Sequence, residues 1–196
     1  MEPKLLDELK NSIKGDVVTD EATLLEYSHD ASLFEVKPQA VVFPKDQEDV
    51  QVLVQFVNKY KTQHPELSLT GRSAGTDMSG GPISESIIVA FGKYFNRPPT
   101  INGTIATTES GVFYRDFEKE TLQHNLIFPS YPASREICAM GGIFNNNSGG
   151  EKSLQYGTTE KYVRRVKVVL CDGKTYELKI LSEKDLKKKL DQYDFE

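Results

Sequence analysis

The chain has 196 residues, 38% hydrophobic and 27% charged, with a formal net charge of -5. That length buries a substantial core, as one large domain or two small lobes. The acidic balance excludes a phosphate-tracking nucleic-acid surface, because the only dense cationic cluster, Lys187, Lys188 and Lys189, sits among Glu183, Asp185 and Asp191 as a solvated helix face.

Leu5, Leu6, Leu9 and Ile13 recur at helical spacing and predict a first helix over 4–14. Asp20 can cap a second, running through Leu24 and Leu25 toward Tyr27, so 1–37 reads as an N-terminal helical segment. "QAVVF" is a short apolar run suited to a buried strand and is stopped by Pro44. Asp46 then caps a helix bearing Val50, Leu53, Val54 and Val57, with Asp46, Glu48 and Asp49 at its positive end. "LSL" and "SIIVAF" are strands on either side of a glycine loop. Residues 38–97 thus read strand, helix, strand, loop, strand, which predicts a parallel pair with a right-handed crossover and helices to one side.

Pro98 and Pro99 open a second lobe over 98–181. "TIATTES" alternates as a strand, and 114–124 is a helix with Phe113, Phe117 and Leu122 as core contacts. A long loop-rich segment follows, with a short helix expected to open at Ser134. "RVKVVLCDGKTYELKI" is a β-hairpin turning on Asp172-Gly173, with Val166, Val168 and Leu170 on one face. A last helix over 182–190 leads to Glu196. No run approaches the roughly 18 apolar residues of a membrane span, and the N-terminus lacks the apolar centre of a signal peptide. Cys138 and Cys171 lack partners at metal spacing and read as buried reduced thiols, which fits a reducing cytoplasm.

Nine of the 14 glycines fall in two windows, Gly71 to Gly81 and Gly141 to Gly157, one per lobe. Glycine costs backbone entropy, so such concentration needs a reason. Consecutive open amides in glycine turns form concave nests for anions, and the missing Cβ lets a diphosphate approach. Two flexible linkers are the alternative, but Arg72, Thr76, Met78, Ile143 and Phe144 within the windows look placed. No lysine lies between Thr70 and Gly92, which excludes a P-loop, and the first strand ends in "FPKD" rather than in a Rossmann glycine fingerprint.

In order, "PQAVVFPKDQEDVQVLVQFVNKY", "LTGRSAGTDMSGG", "FPSYPASREICAMGGIFNNNSGG", "LQYGTTEKYV" and "VKVVLCDGK" resemble successive blocks of the FAD-binding domain of the vanillyl-alcohol oxidase and para-cresol methylhydroxylase superfamily. Within it they are most similar to the glycolate oxidase and D-lactate dehydrogenase branch, as is "YSHDAS" upstream. The resemblance runs over roughly 27–181. It implies an α+β fold of two α/β subdomains of the para-cresol methylhydroxylase type, with FAD extended between them. In the first window, the amides of Arg72, Ser73, Ala74, Gly75 and Thr76 would hold phosphate oxygens, helped by the hydroxyls of Thr76 and Ser79. Gly71, Asp77, Gly80 and Gly81 complete that part of the implied site. Arg72 would either neutralise phosphate or anchor the loop to a neighbouring acid.

The second window would line the ribityl and isoalloxazine region with Pro129, Ala133, Ser134, Gly141, Gly142, Asn145, Ser148 and Gly149. Asn145, Asn146 and Asn147 also suit a hydrogen-bonded turn, and Tyr156-Gly157 matches a family pair that serves packing or flavin contact. The chain departs from the family at Ser73, where a glycine is frequent, at Tyr131, where an aspartate is, and at Ala139, where a threonine is. Some relatives tether FAD through a histidine in the first loop; the matching position here is Thr76, so the resemblance implies non-covalent FAD. His29, His64 and His124 lie outside both windows and suit solvated or capping roles.

The implied reaction is oxidation of a D-2-hydroxy acid such as lactate or glycolate, with hydride passing to the flavin and a base taking the hydroxyl proton. Relatives close the substrate face with a following cap domain, and none is expected here, so the chain reads as a fragment, inactive alone, whose catalytic residues lie elsewhere. No Ser-His-Asp set or histidine pair at metal spacing is present to suggest other chemistry, and no metal is expected. The sequence is silent on the electron acceptor; the resemblance leaves an iron-sulfur domain or subunit open as one. A stand-alone FAD-binding or electron-transfer module, and an enolpyruvyl-sugar reductase-like flavoprotein, stay open as alternatives.

Overall fold

The computed structural model describes residues 1–190; the stretch that leads from the last helix to Glu196 lies outside the described residues. The first half is a four-stranded sheet built from β1 (Asp16–Val18), β2 (Ala40–Phe43), β3 (Leu69–Arg72) and β4 (Ile87–Ala90), in the order β1-β2-β4-β3. β2, β4 and β3 are parallel and β1 is antiparallel to β2. The expected parallel pair is therefore a parallel triplet, with β4 inserted between the two strands that the helix α3 (Gln47–Tyr60) connects. The segment 1–37 contributes an edge strand as well as α1 (Pro3–Ser12) and α2 (Glu21–Tyr27).

Helices cover both faces of this sheet, not one. Leu5 and Leu9 of α1 and Leu53 and Phe56 of α3 pack on Val42, Ile87 and Val89, whereas Leu24 of α2 packs on Val41 and Ala90. Because side chains alternate along a strand, the neighbours Val41 and Val42 serve opposite faces, and a parallel strand buried on both faces is apolar without interruption. Each fully buried aliphatic side chain here contributes about 1.5–3 kcal/mol.

The α3 face is rotated from the expected one. Asp49, Leu53 and Phe56 are buried, while Val50, Val54 and Val57 are half-buried. Asp49 turns inward because its carboxylate accepts the amides of Lys14 (2.8 Å) and Lys45 (2.8 Å), joining the entry to β1 to the turn after β2. The caps are those expected: Asp20 accepts from the Thr23 amide, and Asp46 from the Asp49 amide.

The second half holds a hairpin, β5 (Thr100–Asn102) and β6 (Ile105–Thr107), turning on Gly103 at φ 59°. It is followed by α4 (Tyr114–Gln123), α5 (Met140–Asn145), α6 (Ser153–Tyr156), a 3-10 turn (Thr159–Lys161), the hairpin β7 (Arg165–Val169) and β8 (Thr175–Lys179), and α7 (Glu183–Leu190). "TIATTES" thus supplies one short strand of a hairpin. On α4 the inward face is Tyr114, Phe117 and Thr121, and Leu122, expected in the core, is exposed. Tyr114 takes its place: it is fully buried, donates to the Phe128 carbonyl (2.9 Å), and packs on Tyr131 and Phe128.

Ser134 opens only a turn, closed on its carbonyl by the amides of Ile137 and Cys138. Extended backbone at Ala139, which bridges to Phe113, prevents a helix from continuing there, and α5 starts afresh at Met140. The β7–β8 turn rests on α3, with Asn58 Nδ2 donating to the Cys171 carbonyl (2.6 Å) and Gln51 Nε2 to the Gly173 carbonyl (3.2 Å). That contact ties the two halves together. It leaves Cys171 exposed, contrary to expectation, whereas Cys138 is buried and its thiol pKa is pushed up by burial. Among the described residues no helix is long and apolar enough to cross a membrane, and no cluster of His, Cys, Asp and Glu could hold a metal ion.

Candidate functional site

The first glycine window divides into two parts of opposite character. Gly71 and Arg72 are the last residues of β3. Beyond them, among the described residues, none of the amides of Ser73, Ala74, Gly75 and Thr76 donates to a protein acceptor, and the run is half-buried. Open amides in a half-buried turn favour an anion. Gly75 has φ 69°, a left-handed conformation that an L side chain adopts only at a cost of about 1–2 kcal/mol. Its Cβ would also lie 2.5 Å from Arg72 Nη2.

The part from Asp77 onward is closed on itself. Asp77 accepts from Ser79 Oγ (2.9 Å) and from the Gly81 amide (2.8 Å), and those two bonds, the Ser79 hydroxyl's first, hold its carboxyl below the usual range. The single hydroxyl proton of Ser79, expected to assist a phosphate, is therefore committed to Asp77. Gly80, at φ 84°, lies against Phe34.

Arg72 turns back onto the chain before it, and among the described residues no acid lies within ion-pairing distance, Asp30 and Glu26 favouring its charge from farther away. Its Nη1 donates to the carbonyls of His29 (2.6 Å) and Tyr27 (3.3 Å), and its guanidinium stacks 4.9 Å from the Tyr27 ring centroid. Burial lowers its pKa.

Among the described residues, hydrogen bonds join the second window to the first through the Ser110 carbonyl. Ser73 Oγ donates to the Ser110 carbonyl (3.0 Å), and the Gly141 amide donates to the same oxygen (2.9 Å). A Cβ on Gly141 would stand 2.5 Å from Ser73 Oγ and 2.8 Å from Ser110 Cβ, so only glycine permits this approach. Gly142 is exposed with no atom within 4 Å of a Cβ position, and Asn145 follows at i+3 on the same face of α5, while Ile143 on the opposite face is buried.

The rest of the second window is held within its own half. Ser130 Oγ pairs with Thr159 Oγ1 (3.3 Å), which donates to the buried Ser148 carbonyl (2.8 Å). Gly150 sits against the Tyr131 carbonyl and Gly149 against Ser153. Pro129 is buried, Ala133 is exposed, and Ser134 closes its turn; among the described residues none of these hydrogen-bonds to the first window. Asn147 takes φ 44° and accepts the Glu160 amide, as its turn reading implied. Tyr131 is a core residue whose hydroxyl donates to Glu151 (2.7 Å). Gly157, at φ 88°, lies against Lys161.

Ser110 is the residue that sequence reasoning missed. Its carbonyl joins the two windows, and the signal was Gly111 beside it, where a Cβ would overlap the carbonyls of Phe91 and Phe95. Tyr27 and His29, which hold Arg72, were equally unmarked as parts of the site.

Comparison with known proteins shows the family. A family model described as FAD binding domain matches residues 38–179. The D-2-hydroxyglutarate dehydrogenase of Stutzerimonas stutzeri (strain A1501) is 33% identical over 198 residues, covering 98% of this chain and 41% of that protein. Glycolate oxidase subunit GlcD of Bacillus subtilis (strain 168) is 30% identical over 154 residues, covering 76% and 32%. Among solved structures, an alkyldihydroxyacetonephosphate synthase superposes with a TM-score of 0.77 at 20% identity, over 95% of this chain and 37% of that one, a likeness of fold alone. The chain spans less than half the length of each of these relatives.

Proposed function

Because the chain belongs to the FAD-binding domain family of the vanillyl-alcohol oxidase and para-cresol methylhydroxylase type, we propose that it holds FAD non-covalently along the seam between Ser73 and Gly141, as the cofactor-binding part of a cytoplasmic enzyme oxidising a D-2-hydroxy acid. The observation that carries this reading is the meeting of the two windows at Ser110, with open amides on one side and a bare helix face on the other. These residues fit the cofactor: a diphosphate takes backbone N–H donors in a turn, and 73–76 offer four amides with no protein acceptor among the described residues, in a turn that includes Gly75 at φ 69°.

In this reading the amides of Ser73, Ala74, Gly75 and Thr76 bind the phosphate oxygens, and Asp77 with Ser79 keeps the loop in shape rather than touching the cofactor. Gly142 and Asn145 face the remainder of the molecule. FAD, when bound, accepts the electrons of the oxidation. Non-covalent attachment follows from Thr76, which cannot supply a histidyl tether, and from the placement of His29, His64 and His124 outside both windows. We assign 38–97 and 98–181 as the two cofactor-binding subdomains, flanked by 1–37 and 182–196. The groups that grip the substrate carboxylate and take its hydroxyl proton are assigned to a cap domain in the part of the relatives' length that this chain does not span. The electron acceptor is assigned to an iron-sulfur domain or subunit.

The test is to add FAD to the purified chain, remove excess by gel filtration, and release the chromophore by heat. FAD in stoichiometric amount, with none left on the denatured polypeptide, is expected, and Gly75→Val should abolish retention. Equal retention by that variant, or flavin remaining on the denatured chain, would contradict the reading.

A further inference from the structure

We propose that Tyr27 is a positioning residue for the cofactor, acting through Arg72, so that the segment 27–34, upstream of the matched span 38–179, is a working part of the FAD site. This rests on the FAD reading above. Three contacts place the segment beneath the first loop: Arg72 Nη1 on the Tyr27 and His29 carbonyls, the Ala31 amide on the Asp77 carbonyl (3.1 Å), and Phe34 against Gly80.

The first of these carries charge. Tyr27 ends α2, where unpaired carbonyls and the helix dipole favour a cation. The guanidinium is fixed there by one edge and by the face of the Tyr27 ring, which is itself held edge-on by Phe43 at 5.8 Å. Its other edge lies directly under the loop: a Cβ at Gly75 would be 2.5 Å from Nη2 and 2.7 Å from Nε.

Among the described residues no carboxylate lies within ion-pairing distance of Arg72, although twelve such pairs occur elsewhere in the molecule. Asp30 and Glu26 favour its charge from farther away but form no ion pair with it, so this half-buried cation lacks a close anion, and a diphosphate on the overlying amides supplies one. A free arginine side chain would swing into solvent and leave that place; the aromatic clamp keeps it aimed. Tyr27 thus contributes without touching the cofactor.

The experiment titrates FAD into the 196-residue chain, following flavin fluorescence, and records the thermal midpoint of each ligand-free variant. Tyr27→Leu should weaken FAD binding about tenfold, the range of a half-buried cation–π contact, and Tyr27→Phe should restore it to within about twofold, since the ring face is kept. In an Arg72→Gln background, Tyr27→Leu should cost nothing further. Wild-type affinity in Tyr27→Leu, additive losses in the double variant, or a loss shared by Tyr27→Phe and tracking the thermal midpoint would each overturn the assignment. A wild-type chain that fails to bind FAD would instead sink the cofactor reading itself.

Discussion

Ser73 and Gly141, 68 positions apart in the chain, share one acceptor, the carbonyl of Ser110, and stand so close that a Cβ on Gly141 would lie 2.5 Å from Ser73 Oγ. The two halves of the molecule meet there through nearly bare main chain, and the contact fixes the spacing between the open amides of 73–76 and the exposed face of α5. Replacing Gly141 with valine should force the halves apart. Overpacking of this kind costs about 1–3 kcal/mol, so a lowered thermal midpoint is expected together with loss of FAD binding, read by flavin fluorescence. Gly142→Ala, at a position with open space, should leave the midpoint nearly unchanged.

Asp49 offers a stability test remote from the seam. It is 2% exposed and accepts two backbone amides from different segments, those of Lys14 and Lys45. Asp49→Ala leaves both donors unpaired, at a cost of about 2–4 kcal/mol, visible as a lower urea midpoint. FAD affinity, measured where the variant is folded, should stay within about twofold of wild type.

The shape of the first loop should depend on acid pH. Asp77 has its pKa lowered from the ordinary value of 3.8 by the Ser79 hydroxyl and then by the Gly81 amide. A depressed carboxylate contributes stability that is present above its unfolded value and lost as pH falls through its folded value. FAD retention should therefore keep the full contribution of Asp77 at neutral pH, with no pH dependence from it there, and fall off below pH 3.8, and Asp77→Asn should remove its share of that dependence. The group is close to the surface, so the effect is modest and is read as a shift in the retention profile rather than as global unfolding.

The elements legible in the sequence are those whose signals are local. Pro44 ends an apolar run that does become β2, Asp20 and Asp46 cap as their side chains dictate, and Asp172-Gly173 turns a hairpin with Gly173 at φ 73°. What escaped depended on partners distant in the chain. Three residues, Asp16–Val18, form a strand only because β2 offers an edge. Which face of α4 is buried was decided by Phe128 and Tyr131, which draw Tyr114 inward and leave Leu122 outside.

The candidate site was legible to a similar degree. Both glycine windows could be marked from composition, and the resemblance named their cofactor, but the carbonyl that joins them belongs to a serine in neither window. Likewise the sequence offers Arg72 two partners, phosphate or an acid, and the structure gives a third, the backbone carbonyls of Tyr27 at the end of α2 and of His29 just past it. Cys171 reads like Cys138 in sequence; only the docking of the β7–β8 turn on α3 separates an exposed thiol from a buried one.

Hydrogen exchange at single amides with and without FAD probes the seam most directly. The account predicts that saturating FAD slows exchange together at 73–76 and at Gly142, while Gly81, already bonded to Asp77, changes little. Protection confined to one window, or appearing instead around the hollow of about 310 Å³ lined by Gly92, Asn96, Pro98 and Gly111, would contradict it.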